Sequence, residues 1–337
     1  MTPTPVYLDN TILKAIATCS TRALMQYAYG LRSREARTPL TAGIAFHEAL
    51  AHYLIHSEPV AAVQVFEQTY RPYAEEQHIT SADRYSWQNC AAILAEWIVR
   101  NPPHVLNAAF RIDPTLVEVG FMWPLLDGDT CGCGAPLDAA VHQSGGCQPW
   151  APIFVGRMDA IVHDHTQGGL YVLDHKTTGR LDSRFLRSFT NDSQLSGYVF
   201  AAQQHTQQPV HGAIINAIEV KKIPDSARRC ATHGVAYAEC GPTHLEMVRT
   251  GLNRTAEQLA TWRTTTLMLF RRWRLLTHQH PDLTHITQVH TEGVFNAGCQ
   301  WCDFTEWCSI GRPQHLVPTM FEHELWNPAA FAQEAAA

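Results

Sequence analysis

The chain has 337 residues, 45% of them hydrophobic, 17% charged, and a formal charge of −6. That length can bury one substantial core with an appended helical part, or two small domains. The acidic balance excludes a protein that coats nucleic acid through its global field, and no apolar run is long enough to span a bilayer. The start, Met1-Thr2-Pro3-Thr4-Pro5, lacks the basic and apolar regions of a leader peptide, so a cytoplasmic placement is expected. In chain order, residues 8–32 read as helix, followed by a helix over 41–56 whose apolar stripe is Phe46, Leu50, Tyr53 and Leu54. Further helices are predicted over 60–76 and 82–100, the latter ending at Asn101-Pro102-Pro103. The period then changes, and runs at 116–126, 153–163, 170–177 and 211–221 read as strands, with a helix over 183–205 before the last. A long helix is predicted over 244–278, then a cysteine-bearing segment, then an alanine-rich tail over 328–337 expected to fray.

The apolar run Leu170-Tyr171-Val172-Leu173 leads into Asp174-His175-Lys176, and Gly156-Arg157-Met158-Asp159 lies on the preceding strand-like run. On a strand, residues two apart share a face, so Asp174 and Lys176 point together while His175 points away. An adjacent strand could bring Asp159 to the same face. Two carboxylates and an ammonium suit a divalent cation that polarises a phosphodiester and activates water. Upstream, Gly43-Ile44-Ala45-Phe46-His47 places His47 beside a helical apolar stripe, and downstream Gln194 and Tyr198 stand four apart on one helix face.

This order, a G-x3-H helix, a G-R-x-D strand, a D-x-K strand and a Q-x3-Y helix, resembles the RecB-like branch of the PD-(D/E)XK nuclease superfamily. The resemblance implies an α/β fold: a restriction-endonuclease-like αβββαβ core with a mixed sheet, plus added helices and a C-terminal cysteine-cluster segment. It implies an N-terminal helical part over 1–115 carrying Cys19 and His47, and a core sheet over 116–223 with an insertion at 127–150. A C-terminal helical part with the cysteines would cover 224–312, and a tail 313–337. His47, Asp159 and Asp174 become ligands of Mg²⁺ or Mn²⁺, with the carbonyl of His175 a further one. Lys176 becomes the catalytic lysine, and Gln194 and Tyr198 lie against the nucleic-acid backbone. Glu118, in a strand where relatives often carry an acid, is a weaker candidate. The implied function is hydrolysis of DNA phosphodiesters, with exonuclease action on DNA ends favoured. A non-catalytic DNA-end-binding or assembly module and a small-phosphoester metallohydrolase are the alternatives. The chain lacks G-x4-G-K-S/T, so ATP-driven unwinding would come from a helicase or recombination partner. A local basic strip for DNA could draw on Arg184, Arg187, Lys221, Lys222, Arg228, Arg229, Arg271, Arg272 and Arg274.

Ten cysteines fall below the density of a disulfide scaffold. Cys299, Cys302 and Cys308 form C-x2-C-x5-C, thiolates that can converge on one soft metal centre. The resemblance supplies Cys19 as the fourth: iron-sulfur nucleases of this branch, AddB-type domains and CRISPR adaptation nucleases, clamp their two chain ends with a [4Fe-4S] cluster. Ser20 here replaces the proline of their N-terminal pattern. Zinc is the competing metal, although zinc sites more often use paired C-x2-C units. In the glycine-rich insertion, Cys131, Cys133, Cys147 and His142 could hold zinc, but C-x-C is uncommon in such sites and a loop with free thiols is the favoured reading. Cys90, Cys230 and Cys240 show no partner pattern.

Overall fold

The computed structural model describes residues 2–34, 37–222, 227–231, 233–300 and 302–330. The strands are β1 (Thr4–Leu8), β2 (Leu31–Ser33), β3 (Phe110–Pro124), β4 (Trp150–Asp164), β5 (Leu170–Thr178), β6 (Val210–Glu219), β7 (Met247–Asn253) and β8 (Phe321–His323). The chain forms two compact units that interleave in sequence. One contains 36–119 and 158–255; the other contains 1–35, 120–157 and 256–337.

In the unit built from 36–119 and 158–255, the tail of β4 pairs antiparallel with β5, with Ala160 opposite Leu173 and Val162 opposite Tyr171. β5 runs parallel to β6, with Asp174 opposite Ile215, His175 opposite Asn216 and Lys176 opposite Ala217. The Ser193–Thr206 helix makes the crossover that such a parallel pair requires. β7 then closes the set antiparallel to β6. Helix Thr38–His56, three strands, a helix and a strand give the αβββαβ order, and the sheet is mixed. Alternate β5 residues Tyr171 and Leu173 enter a core with Phe46, Leu50 and Tyr53, with Phe66 and Tyr70 of helix Pro59–Glu76, and with Leu94 and Trp97 of helix Trp87–Arg100. Burying each such side chain contributes about 1.5–3 kcal/mol, which is why this face is held by the helices.

In the other unit, β1 pairs parallel with the start of β4, Thr4 opposite Trp150 and Leu8 opposite Phe154. β2 pairs antiparallel with β8, Leu31 opposite His323. Leu24, Met25 and Leu31 share a core with Leu276, Ile286, Phe304, Trp307 and Phe321, so the first helices pack on the last segments of the chain.

Three predicted elements differ from those observed. The helix over 8–32 is broken: Asn10–Thr18 is capped by Asp9, whose carboxylate accepts from the Ile12 N–H at 2.8 Å, and ends at Cys19, which is extended (φ −164°). That break turns the Ser20 N–H onto the Glu292 carboxylate at 2.8 Å, a tertiary contact no local period encodes. The helix over 183–205 is two pieces, Ser183–Arg187 and Ser193–Thr206, each started by an aspartate cap, Asp182 and Asp192. The first residues of the long helix over 244–278 instead form β7, because β6 offers an unpaired edge from Gly212 to Ile218; the helix itself is Ala256–Gln279. Of the alanine-rich tail, residues 331–337 lie outside the described residues. Among the described residues no helix is long and apolar enough to cross a membrane.

Three residues of the basic strip make contacts within the fold. Arg271 donates to the carbonyl of Gly132 at 2.8 Å, Arg272 bonds Glu292 and the Ser20 hydroxyl, and Arg274 stacks over Trp150 with its guanidinium 5.4 Å from the ring centre. These three cations make contacts within their own unit, and of them only Arg272 is paired with a carboxylate.

Candidate active site

Strand alternation places the chemistry. Along β5, His175 follows Tyr171 and Leu173 to the helix-covered face, while Asp174 and Lys176 take the other. Asp174 is 1% exposed and Asp159 9%. Asp159 is fixed from two sides: its Oδ1 lies 3.0 Å from His47 Nδ1, and its Oδ2 accepts the His175 N–H at 2.6 Å. Lys176 Nζ donates to Asp174 Oδ1 at 3.0 Å and to Gln194 Oε1 at 3.4 Å, and the Gln194 amide donates to the Tyr198 hydroxyl at 2.9 Å. Asp192 caps the helix that carries these two residues, accepting from Gln194 and Leu195 N–H groups at 2.7 and 3.2 Å. His47, Asp159, Asp174, His175, Lys176, Gln194 and Tyr198 thus form one connected neighbourhood. Glu118 lies in β3 in a left-handed conformation (φ 55°), an interruption of the regular strand backbone.

Burial alone would raise the Asp159 pKa, but the His47 ring overrides it and holds the carboxyl well below the usual range. His47 is correspondingly raised: burial opposes its charged form, and Asp159 more than compensates. Lys176 is raised although burial works against it, because Asp174 sits beside it. Asp174 is nevertheless raised, burial outweighing the help from Lys176 and the Asp159 charge adding to the penalty. Both Asp174 oxygens lie by the Lys176 ammonium, Oδ1 at 3.0 Å and Oδ2 at 2.7 Å. An imidazole, two carboxylates and a strand carbonyl are a donor set of the kind a hard divalent ion takes. His47, Asp159, Asp174 and the His175 carbonyl are the groups here that could hold one.

A supporting network lies behind the strand, and nothing local in the sequence announces it. Asn216, opposite His175 on β6, donates to His175 Nδ1 at 2.7 Å and accepts the Trp97 indole N–H at 3.2 Å. Trp97 meets the His175 ring edge-on at 6.1 Å, and Arg249 of β7 lies over its other side. Burial drives the His175 pKa down to about 3, so the ring is neutral and accepts at Nδ1. Asn216→Leu keeps the volume but leaves the Trp97 N–H and His175 Nδ1 unpaired. A loss of about 2–4 kcal/mol is expected from two orphaned buried groups. Urea denaturation reads it, and a loss below about 0.5 kcal/mol would show that the network does not hold this strand.

In the other unit, Gly293 lies close to both Cys19 and Cys299: a Cβ there would stand 3.1 Å from Cys299 Sγ and 3.6 Å from Cys19 Cβ. The Cys308 thiol is pushed up to about 11, chiefly by burial, with Cys302, Cys19 and Cys299 among the neighbours that add to it. The structure thus gathers Cys19, Cys299, Cys302 and Cys308. Two further sets are grouped so that their ligand atoms lie within 4.8 Å of one another: Cys131, Cys133, His142 and Cys147, and Cys230, His233 and Cys240. The insertion is therefore not a loop of unrelated thiols, and Cys230 and Cys240 have a histidine between them. Cys90 is a core thiol, fully buried and pushed up to about 12 by that burial.

Residues 10–309 match the sequence model of the PD-(D/E)XK nuclease superfamily, and the chain belongs to that superfamily, whose members are typically metal-dependent nucleases. No curated protein matches it.

Proposed function

We propose that the unit built from 36–119 and 158–255 carries a deoxyribonuclease centre that hydrolyses phosphodiester bonds, acting as an exonuclease at DNA ends in recombination, repair or phage or CRISPR DNA processing. The observation that carries this is the buried Asp159–Asp174 pair, with His47 on Asp159 and the Lys176 ammonium on Asp174. His47, Asp159, Asp174 and the His175 carbonyl would hold Mg²⁺ or Mn²⁺. Such an ion polarises the phosphoryl oxygen and lowers the pKa of water, supplying the nucleophile at neutral pH. Lys176, held between Asp174 and Gln194, stabilises the attacking water or the developing charge. Gln194 and Tyr198, joined to each other, orient the scissile strand. A non-catalytic DNA-end-binding module is the second reading, and the intact carboxylate, histidine and lysine set speaks against it.

Activity is expected with added Mg²⁺ or Mn²⁺, little with Ca²⁺, whose looser and higher coordination fits the chemistry poorly, and none in EDTA. The assay compares duplex, single-stranded and end-blocked DNA, RNA and a mononucleotide ester. Full cleavage in excess chelator by protein that retains no metal would overturn the mechanism. No metal-dependent cleavage of any substrate, with DNA-end binding intact, would favour the second reading. Cleavage of the mononucleotide ester alone would point to a small-phosphoester hydrolase. A helicase or recombination partner would supply unwinding.

We also assign Cys19, Cys299, Cys302 and Cys308 to a [4Fe-4S] cluster that joins the two chain ends. A single tetrahedral zinc, with Zn–S bonds near 2.3 Å, would draw four sulfurs to within roughly 4 Å of one another. Such a cluster suits a reducing compartment, the cytoplasm.

A further inference from the structure

We propose that the insertion after β3 is a zinc knuckle in which Cys131, Cys133, His142 and Cys147 hold one structural Zn²⁺. This site shares no residue with the nuclease centre or with the Cys19 quartet, and stands or falls apart from both.

Four ligand atoms from four residues spread over 131–147 lie within 4.8 Å of one another. A tetrahedral zinc with Zn–S near 2.3 Å and Zn–N near 2.0–2.1 Å places its ligands roughly 3.5–4 Å apart, so the set needs only a small contraction to close on one ion. Three thiols and an imidazole make a common closed donor set, with no fourth position left for water or substrate. The ion would therefore serve structure rather than chemistry.

The imidazole is already aimed. His142 is 4% exposed, and its Nδ1 lies 2.9 Å from the Cys147 carbonyl, so Nδ1 carries the proton and donates. Nε2 is left with its lone pair facing the thiols, 3.9 Å from Cys133 Sγ. A backbone carbonyl fixing the far nitrogen is the usual way a protein orients a zinc histidine. The thiols are positioned as firmly. Cys131 Sγ accepts the Trp150 N–H at 3.4 Å, while its own N–H reaches the Ala135 carbonyl at 2.9 Å. That hairpin needs its glycines. A Cβ on Gly132 would stand 2.5 Å from the Trp150 ring, and Gly134 has φ +99°, a conformation that L side chains rarely adopt. The Ala140–Gln143 helical turn carries His142, and the Cys147 N–H returns to the Val141 carbonyl at 3.1 Å.

The knuckle has a job within its unit. Arg271 of the Ala256–Gln279 helix donates to the Gly132 carbonyl at 2.8 Å, and Arg274 stacks over Trp150. The metal-bound turn would thus be the surface on which that helix is anchored.

The test uses the full chain purified under reductant with trace zinc. Wild type is expected to hold one zinc equivalent more than Cys133→Ser and Cys147→Ser, measured by elemental analysis against protein concentration. Reading the difference cancels zinc misloaded at other cysteines. His142→Cys should keep that equivalent, because four thiolates also close the site, and this variant separates loss of zinc from loss of fold. Chelator should speed proteolytic cutting within 128–149 in wild type and His142→Cys. Cys240→Ser, at the separate Cys230 group, should leave that cutting unchanged. Equal zinc in wild type and Cys147→Ser would overturn the proposal, as would a Cys131–Cys147 or Cys133–Cys147 disulfide mapped in protein prepared anaerobically with reductant.

Discussion

Asp174→Ala and Lys176→Ala are each expected to lower DNA cleavage by about a hundredfold or more while the chain stays folded. Removing a metal ligand or the group that assists the attacking water costs several kcal/mol of transition-state stabilisation, and each 1.4 kcal/mol is tenfold in rate. The fold should survive for different reasons in the two variants. Asp174 is 1% exposed, and burial already raises its carboxyl, so removing it also removes an unfavourable charge. The Lys176 ammonium left behind has 22% of its side chain exposed and keeps Gln194 as a partner. In Lys176→Ala the Asp174 carboxyl loses its ammonium and can take up a proton instead. The double variant should be no slower than the worse single one, because the two residues act as a unit. Single-turnover cleavage with saturating Mn²⁺, alongside urea denaturation, checks both halves. Cleavage within threefold of wild type in either variant would remove that residue from the mechanism.

Cys302→Ser is expected to abolish the brown colour and iron content of anaerobically prepared protein and to lower its thermal stability. A cluster held by Cys19 and Cys308 closes a loop of nearly the whole chain, and in the chain-entropy account a cross-link over so long a loop stabilises by on the order of 5 kcal/mol. The loss should be smaller than that figure. Ser20, Thr21 and Asn296 still tie the N-terminal helices to the C-terminal segment, through Glu292 at 2.8–2.9 Å, the His290 carbonyl at 2.9 Å and the Thr18 carbonyl at 3.0 Å. Iron quantification, the absorption spectrum and a melting curve read the outcome. Colourless wild-type protein holding stoichiometric zinc, lost in Cys302→Ser, would replace the cluster by zinc and keep the clamp. Wild-type protein without any metal dependent on Cys302 would remove the clamp itself.

The parts of the candidate site that were legible in the sequence are those encoded by short-range geometry. Asp174 and Lys176 share a face because side chains on a strand alternate, and Gln194 and Tyr198 share one because a helix repeats every 3.6 residues. Their order with Gly43, His47 and Asp159 was enough to indicate the superfamily. Tertiary structure decided what local periods cannot express. The β6 edge turned 247–253 into a strand inside a predicted helix. Pairing of His175 with Asn216 brought Trp97 behind the site across 119 residues of sequence. The same long-range folding engaged Arg271, Arg272 and Arg274, candidates for a basic strip, with Gly132, Glu292 and Trp150. It also drew Cys131, Cys133, His142 and Cys147 together despite an unpromising C-x-C spacing. The sequence by itself determined which residue types face one another along a single element. Only the pairing of elements distant in sequence, selected by burial of apolar surface and satisfaction of buried polar groups, decided which of those faces meet.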